Sequence, residues 1–536
     1  VKLVKRSSVV LMSFILILVL ALTGCSSSNK ANQEASNANA AKETNASKEP
    51  ATTDNDAKKL DPYEVVMVYP DAPQSDLASV QTAMNDYLKA TYPELNMTVK
   101  LNPIDWGAWG DKTNLMMASN EKFDLFFTAD WLGYNQQVLK GGLLPLDDLL
   151  AQYGPDIEAV EKDFHEPAKR SGKLYGIHTH QELGGSQGIY LDKALVDKYN
   201  MDLSALKSGK VEDLEPLLQT IKANEPDVTP LVAPSFPLEA YYSSGTLDMI
   251  SSVAAINVLN TAPDNFEVVN LYETPRYREL ADLTRRWFNA GYINKDALTP
   301  GLDAWKKIQA GKAFALVGDM DILANMEIGS VSKAPNASIK AGREIIQIPL
   351  NIDRLQTGKM TATMQTISKT SKDPARAMML LNLFFKDQKL LTLFNFGIEG
   401  KHYVLKDGQI ALPEGKTMND VGFYHDIMWQ IGNQMLNYTR EGEDPNKYQN
   451  YEKFNEMVSS RPARNFGFIF DPEPVKNEII AIDNANKAYV DGLKSGQLDP
   501  EENLPKLLAK QKAAGVDKVI AEAQKQLDAW REANGK

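Results

Sequence analysis

Tyr63-Glu64-Val65-Val66-Met67-Val68-Tyr69 is a β-rich apolar run that stops at Pro70, and it reads as a buried strand. Leu77, Val80, Met84, Tyr87 and Leu88 then share one helical face until Tyr92-Pro93 ends the pattern. A second strand is expected at 97–101, a second helix at 111–119 and a third strand at 123–127. Strand, helix, strand, helix, strand predicts a parallel sheet, because successive parallel strands need a crossover between them.

In such sheets ligands bind beyond the carboxyl ends of the strands. The three exit loops carry Tyr69, Asp71 and Gln74, then Asp105, Trp106 and Trp109, then Asp130, Trp131 and Tyr134. Flat rings beside carboxylates and amides suit sugars, whose C–H faces stack while their hydroxyls take hydrogen bonds. Packing in the core or the loop is the alternative for any single ring. That three of the seven tryptophans fall in these loops favours the ligand reading.

A helix after Gly141-Gly142-Leu143-Leu144-Pro145-Leu146 closes this unit, and the strand Leu174-Tyr175-Gly176-Ile177 leads into a second lobe. That lobe alternates again: strand 189–191, helices 193–199 and 212–223, strand 228–232 and helix 277–290. The buried run Ala313-Phe314-Ala315-Leu316-Val317-Gly318, with Asp319 and Met320 at its exit, is expected to return to the first lobe, and 361–368 to cross back. Pro374 starts a strongly apolar helix through Phe394, with proline in the first turn where its missing N–H costs nothing. Near the end, Val516, Val519, Ile520, Ala523, Leu527 and Trp530 keep helical spacing. The opposite face of that helix mixes charge signs, so it is expected to dock on the body and not on a membrane.

The N-terminus is of another kind. Lys2, Lys5 and Arg6 precede an apolar run from Val9 to Leu22, then Leu22-Thr23-Gly24-Cys25, which describes an export signal too short to span a bilayer. Leu-Thr-Gly-Cys resembles the lipobox of bacterial lipoproteins, and Cys25 is the only cysteine, so no disulfide forms within the chain. Residues 26–59 hold almost no large apolar side chain and read as a flexible tether. The formal charge of −12 becomes three units more negative once the signal is removed, which argues against nucleic acid as a partner. No apolar run after Cys25 reaches the roughly 20 residues of a membrane span, leaving the acyl chains as the expected anchor.

Catalytic motifs are sought and mostly not found. Gly415-Lys416-Thr417 has the tail of a phosphate-binding loop, but Ile410 stands where its first glycine belongs. Gly184, Gly185 and Gly188 have the wrong spacing for a dinucleotide fingerprint. His178 and His180 can share a strand face, yet no third metal ligand has characteristic spacing, so a hinge or ligand role is preferred and neither metal nor cofactor is expected. A glycosidase needs only two carboxylates at the right separation, and 70 acidic residues leave that alternative open.

Phe123-Asp124-Leu125 leading to Gly141-Gly142-Leu143-Leu144-Pro145-Leu146, and Gly172-Lys173-Leu174-Tyr175-Gly176-Ile177, resemble the solute-binding proteins of bacterial ABC sugar importers. Phe396-Gly397-Ile398-Glu399-Gly400-Lys401-His402-Tyr403 and Gly467-Phe468-Ile469-Phe470-Asp471-Pro472 resemble the LipO and LplA type within them. The resemblance implies an α/β, two-lobed periplasmic-binding-protein-like fold of type II, with a hinge and a helical C-terminal extension. It divides the chain into a signal peptide (1–24), lipidated Cys25 and tether (25–60), lobe 1 (61–172 and 313–360), lobe 2 (173–312 and 361–464) and a C-terminal domain (465–536). It also implies a non-enzymatic, monomeric receptor on the outer face of the cell membrane that passes an oligosaccharide to permease subunits. The expected ligand residues are Tyr69, Asp71, Trp106, Trp109, Asp130, Trp131, His180, Glu182, Asp319, Glu399, Lys401, His402, Tyr403 and Arg464. Lys401, His402 and Arg464 are the cations an acidic sugar would use. A peptide receptor and a surface hydrolase or lyase remain the alternatives.

Overall fold

Strand Tyr63–Pro70 pairs in parallel with Met97–Ile104 along its whole length and with Leu125–Thr128 near its end. The computed structural model describes residues 60–536 except 233–235, 252–253, 261, 263, 300–303, 325, 358–359, 419 and 426–427. The expectations for the signal peptide, Cys25 and the tether lie outside the described residues. The three parallel strands come from alternating βαβ units, as the hydrophobic spacing requires. Two short antiparallel neighbours, Met364–Ile367 and Ile177–His178, complete a five-stranded sheet. Its faces are covered by helices including Leu77–Thr91, Pro374–Leu383 and Gln388–Phe396.

The second lobe is a mixed sheet in the order Ser332–Lys333, Ile345–Pro349, Gln187–Asp192, Ala313–Asp319, Thr229–Val232. Two expectations are corrected here. Ala313–Asp319 does not return to the first lobe: it pairs with Gln187–Asp192 and Thr229–Val232, and Ile345–Pro349 lies on the other side of Gln187–Asp192. The segment assigned to lobe 2 after residue 361 instead enters lobe 1, where Met364, Ile367, Leu380, Phe384, Phe394 and Ile431 share one core with Val65 and Phe126. The apolar helix expected from Pro374 through Phe394 is two helices. Its break is held by Asp387, which accepts from the Leu390 amide at 3.0 Å and from the Tyr92 hydroxyl at 2.8 Å.

The C-terminal helices Lys476–Lys487, Pro500–Ala513 and Val516–Asn534 lie against the second lobe and its antiparallel sheet of Leu247–Ser251, Ile256–Leu259 and Val268–Asn270. Ile256, Val258 and Val268 share a core with Ile482, Val519, Ala523 and Leu527, while Leu493, Leu504 and Leu507 enter the main core of the lobe beside Trp287. Polar groups are matched inside the seam: the Asn270 amide donates to Gln511 at 2.8 Å, and Gln511 donates to Asn486 at 2.6 Å. The extension is therefore part of the lobe's interior, and among the described residues no helix is long and apolar enough to cross a membrane.

Gly496 has φ +72°, and a Cβ there would stand 2.2 Å from the Thr284 carbonyl oxygen. Gly535 has φ +64° and nothing within 4 Å. Gly535→Ala should cost about 1 kcal/mol of left-handed strain, whereas Gly496→Ala should cost about 3 kcal/mol as the helices are pushed off the lobe. Thermal unfolding of the two variants checks this, and equal losses would mean that the seam yields.

Candidate functional site

At the carboxyl end of the first lobe's sheet, Asp105 accepts from the Gly107 amide at 2.9 Å and fixes a short turn, Trp106–Ala108, at the exit of Met97–Ile104. The neighbouring exit from Leu125–Thr128 forms the turn Asp130–Leu132. The two turns bring Trp106 and Trp131 together, with centroids 5.9 Å apart and planes within 20°. Trp429 adds a third ring at 6.1 Å from Trp106, held from behind by Phe127 at 5.9 Å. Trp106 remains 38% exposed and Trp131 53% exposed, although burial of such rings is strongly favourable. A stacked, exposed aromatic surface at a strand-end crevice is what a ligand with flat apolar faces requires.

Polar groups border it. The Trp131 indole donates to the Ala362 carbonyl at 2.8 Å. The Asp130 carboxylate accepts from the Thr361 hydroxyl and from Arg170 at 3.3 Å. On the second lobe, Asp319 stands exposed at the end of its strand, touched by the Gln187 amide at 3.1 Å, while Tyr190 beneath it donates to the Asp319 carbonyl at 2.6 Å and meets Trp305 edge-on at 5.2 Å.

Between the lobes, residues 179–186 run beside 351–357 and 360–363, and the helix Lys447–Ser459 lies along them. Leu183, Ile322, Ile352, Leu355, Met360, Phe454 and Val458 form a separate apolar cluster there. Tyr451 packs on that cluster, and Glu182, half-buried, lies close enough to help keep the Tyr451 hydroxyl protonated after burial has done most of it.

The remaining expected ligand residues are used otherwise. Trp109 is only 3% exposed and stacks on Phe126 at 5.4 Å, because the helix Trp109–Ala118 starts at it and turns it inward. Tyr69 is buried against Phe394, and Asp71 bonds His425 at 2.8 Å. His180 bonds Glu161 at 2.6 Å. Glu399 and Lys401 lie exposed, Lys401 pairing with Asp76 at 2.8 Å, while His402 and Tyr403 are buried. Arg464 donates to the Ala262 and Asn265 carbonyls at the seam with the C-terminal helices, so the three cations proposed for an acidic sugar are engaged away from the platform. Trp429, which sequence reasoning missed, sits on a single 3-10 turn, Met428–Gln430, too short for any periodicity to single it out.

Residues 464–532 match DUF3502, a domain of unknown function. Over 431 residues, 79% of this chain and 83% of the relative, the sequence is 27% identical to a carbohydrate ABC transporter substrate-binding protein of Streptococcus pneumoniae serotype 4. Lipoprotein LipO of Bacillus subtilis is 22% identical over 366 residues, 64% of this chain and 69% of that one. The crystal structure of NgtS, an N-glycan transport solute binding protein of S. pneumoniae, superposes with a TM-score of 0.73 at 24% identity, covering 89% of this chain and all of that one. NgtS has also been solved with Man1GlcNAc and with Man5GlcNAc. The chain has the fold of a two-lobed solute-binding protein. Its sequence relatives are named as carbohydrate-binding components of ABC transporters and as lipoproteins, and the α/β architecture expected from the strand pattern is the one observed.

Glu161, fully buried at the end of helix Pro155–Glu161, receives both His178 and His180. Burial raises its carboxyl, but the two imidazoles outweigh burial and hold it below the ordinary carboxylate range. A folded-state value below the unfolded one stabilises the fold above the unfolded value, and that contribution disappears as pH falls through the folded value. The stability gap between wild type and Glu161→Gln should be full at neutral pH, at roughly 3 kcal/mol for a broken buried pair, and should close below the ordinary carboxylate range. A pH series of chemical denaturation measures it; a gap unchanged in acid would remove Glu161 as its source.

Proposed function

We propose that this chain is a lipid-anchored, extracellular substrate-binding protein of an ABC importer, monomeric and without catalytic activity, that captures an oligosaccharide and delivers it to membrane permeases. The observation that carries the reading is the surface of exposed Trp106 and Trp131 beside part-buried Trp429 at the strand ends of one lobe, next to a boundary crossed by paired segments. Lobes joined this way close by hinge bending, a mode of ligand capture found in periplasmic binding proteins generally. A ligand touching both lobes favours the closed state by its differential affinity for it. With Lys401, His402 and Arg464 committed to other partners, a neutral glycan fits the platform better than an acidic one. The relationship to named carbohydrate-binding proteins supports the same class of ligand.

Titration calorimetry against a panel of neutral and acidic oligosaccharides should find one-to-one binding, near −8 kcal/mol for a micromolar receptor, with the sugar recovered unchanged. Trp106→Ala should lose about 1 to 3 kcal/mol of binding with little change in melting temperature. Trp109→Ala should instead lose about 3 to 5 kcal/mol of stability, as buried rings do. Reversal of that pattern would dismantle the platform reading, and turnover above a heat-inactivated control would replace receptor by enzyme.

The anchor has its own test. Cys25 is the only thiol available for acylation, so Cys25→Ala in a Gram-positive host should yield unlipidated protein in the medium or an uncleaved precursor. Metabolic labelling with a fatty acid checks it, and a labelled, membrane-held variant would exclude the lipoprotein assignment.

A further inference from the structure

The aromatic platform is tied directly to the chain segments that join the lobes. Residues 351–357 and 360–363 lie in the chain between strand Ile345–Pro349 of the second lobe and strand Met364–Ile367 of the first, so any rotation of one lobe against the other must be absorbed along this stretch or beside it. The Asp130–Trp131 corner makes three hydrogen bonds to this segment: the Asp130 amide to the Thr361 carbonyl at 2.9 Å, the Thr361 hydroxyl to the Asp130 carboxylate, and the Trp131 indole to the Ala362 carbonyl at 2.8 Å. One residue further on, Thr363 joins the other crossover: its hydroxyl accepts from Gln181 at 2.6 Å and its carbonyl from the Thr179 amide at 3.1 Å.

We propose that Thr361 is a positioning residue that straps the sugar-stacking corner Asp130–Trp131 to the paired crossovers, so that a glycan seated on Trp131 sets the angle of the hinge. This rests on the glycan-binding reading above and adds to it how occupancy of one lobe reaches the joint. The physical basis is that Trp131 is held by two contacts and little else: it stacks on Trp106, half its surface is exposed, and its one polar atom is satisfied by a hinge carbonyl. The tilt of the ring on that stack therefore follows 361–362. The coupling runs both ways by reciprocity, so a sugar that fixes the ring favours one arrangement of the hinge. The Asp130 carboxyl is itself about half exposed, so losing the Thr361 hydroxyl lets water replace it at little cost in folding.

Thr361→Val keeps the branched shape and removes the donor, Thr361→Ser restores the donor, and Trp131→Phe keeps a flat ring while losing the indole bond to Ala362. With Man5GlcNAc as the probe, wild type and Thr361→Ser should bind alike and show the same fall in radius of gyration by X-ray scattering at saturation. Thr361→Val and Trp131→Phe should bind about tenfold more weakly and contract less even when saturated, with melting temperatures close to wild type. Without any sugar, amides in 357–363 and 179–186 should exchange faster in Thr361→Val. Contraction and exchange unchanged in Thr361→Val, in a wild type that binds, would overturn the strap while leaving the receptor intact. A wild type that binds neither Man5GlcNAc nor any glycan of the panel would overturn the receptor reading, and the strap with it.

Discussion

The arrangement of this protein depends on one small apolar cluster at the joint of the lobes. Leu183, Ile352 and Met360 come from the two crossovers, Ile322 from the loop after strand Ala313–Asp319, and Phe454 and Val458 from the helix laid along them. The cluster is separate from the core of either lobe, a third and smaller apolar contact between them. Polar groups fix its register: Asn455 accepts from the Leu183 amide at 2.8 Å and donates to the Gln181 carbonyl at 2.8 Å, pairing with the backbone of one crossover as a neighbouring strand would. Space is tight, since a Cβ at Gly184 would lie 3.2 Å from the Gln356 carbonyl oxygen and 3.3 Å from Val458. A joint so closely packed permits a few discrete arrangements, which is the property a two-state receptor requires.

How much of this was legible in the sequence follows from which interactions are local. The parallel unit from Tyr63 to Thr128 was readable because helical and strand periodicities alternate over short loops, and parallel strands leave little choice of topology. The run Ala313–Asp319 was readable as a buried strand but not as belonging to the second sheet. Nothing in Ala-Phe-Ala-Leu-Val-Gly chooses between a partner at 187–192 and one at 125–128, because both present the same apolar faces. The break inside the expected apolar helix did have a local signal, the polar run Lys386-Asp387-Gln388-Lys389 between two apolar stretches, with Asp387 capping the second helix.

The site was half legible for a related reason. Trp106 and Trp109 lie three residues apart, and spacing alone shows that they share a face only if both belong to one helix. In the structure the first belongs to the preceding turn and the second opens the helix, so one faces solvent and the other faces Phe126. The basic candidates have partners of their own, because a cation is recruited by whatever acceptors surround it in the fold. Arg464 found the carbonyls of a second-lobe loop, and Lys401 found Asp76, where burial also pulls the neighbouring His402 below its usual range.

The three rings of the platform also constrain one another. Trp106 is flanked by Trp131 on one side and Trp429 on the other, and Trp429 is backed by Phe127 from the core strand. Ordering a large side chain on binding ordinarily subtracts from affinity, by about 0.5–1.5 kcal/mol for each flexible group immobilised. Here part of that ordering is already in place, through ring-on-ring contact and the indole bond to Ala362. For the proposed receptor, the exposed faces would then act as one stack, and Trp429, the most enclosed of the three rings, would contribute through the orientation it imposes on Trp106.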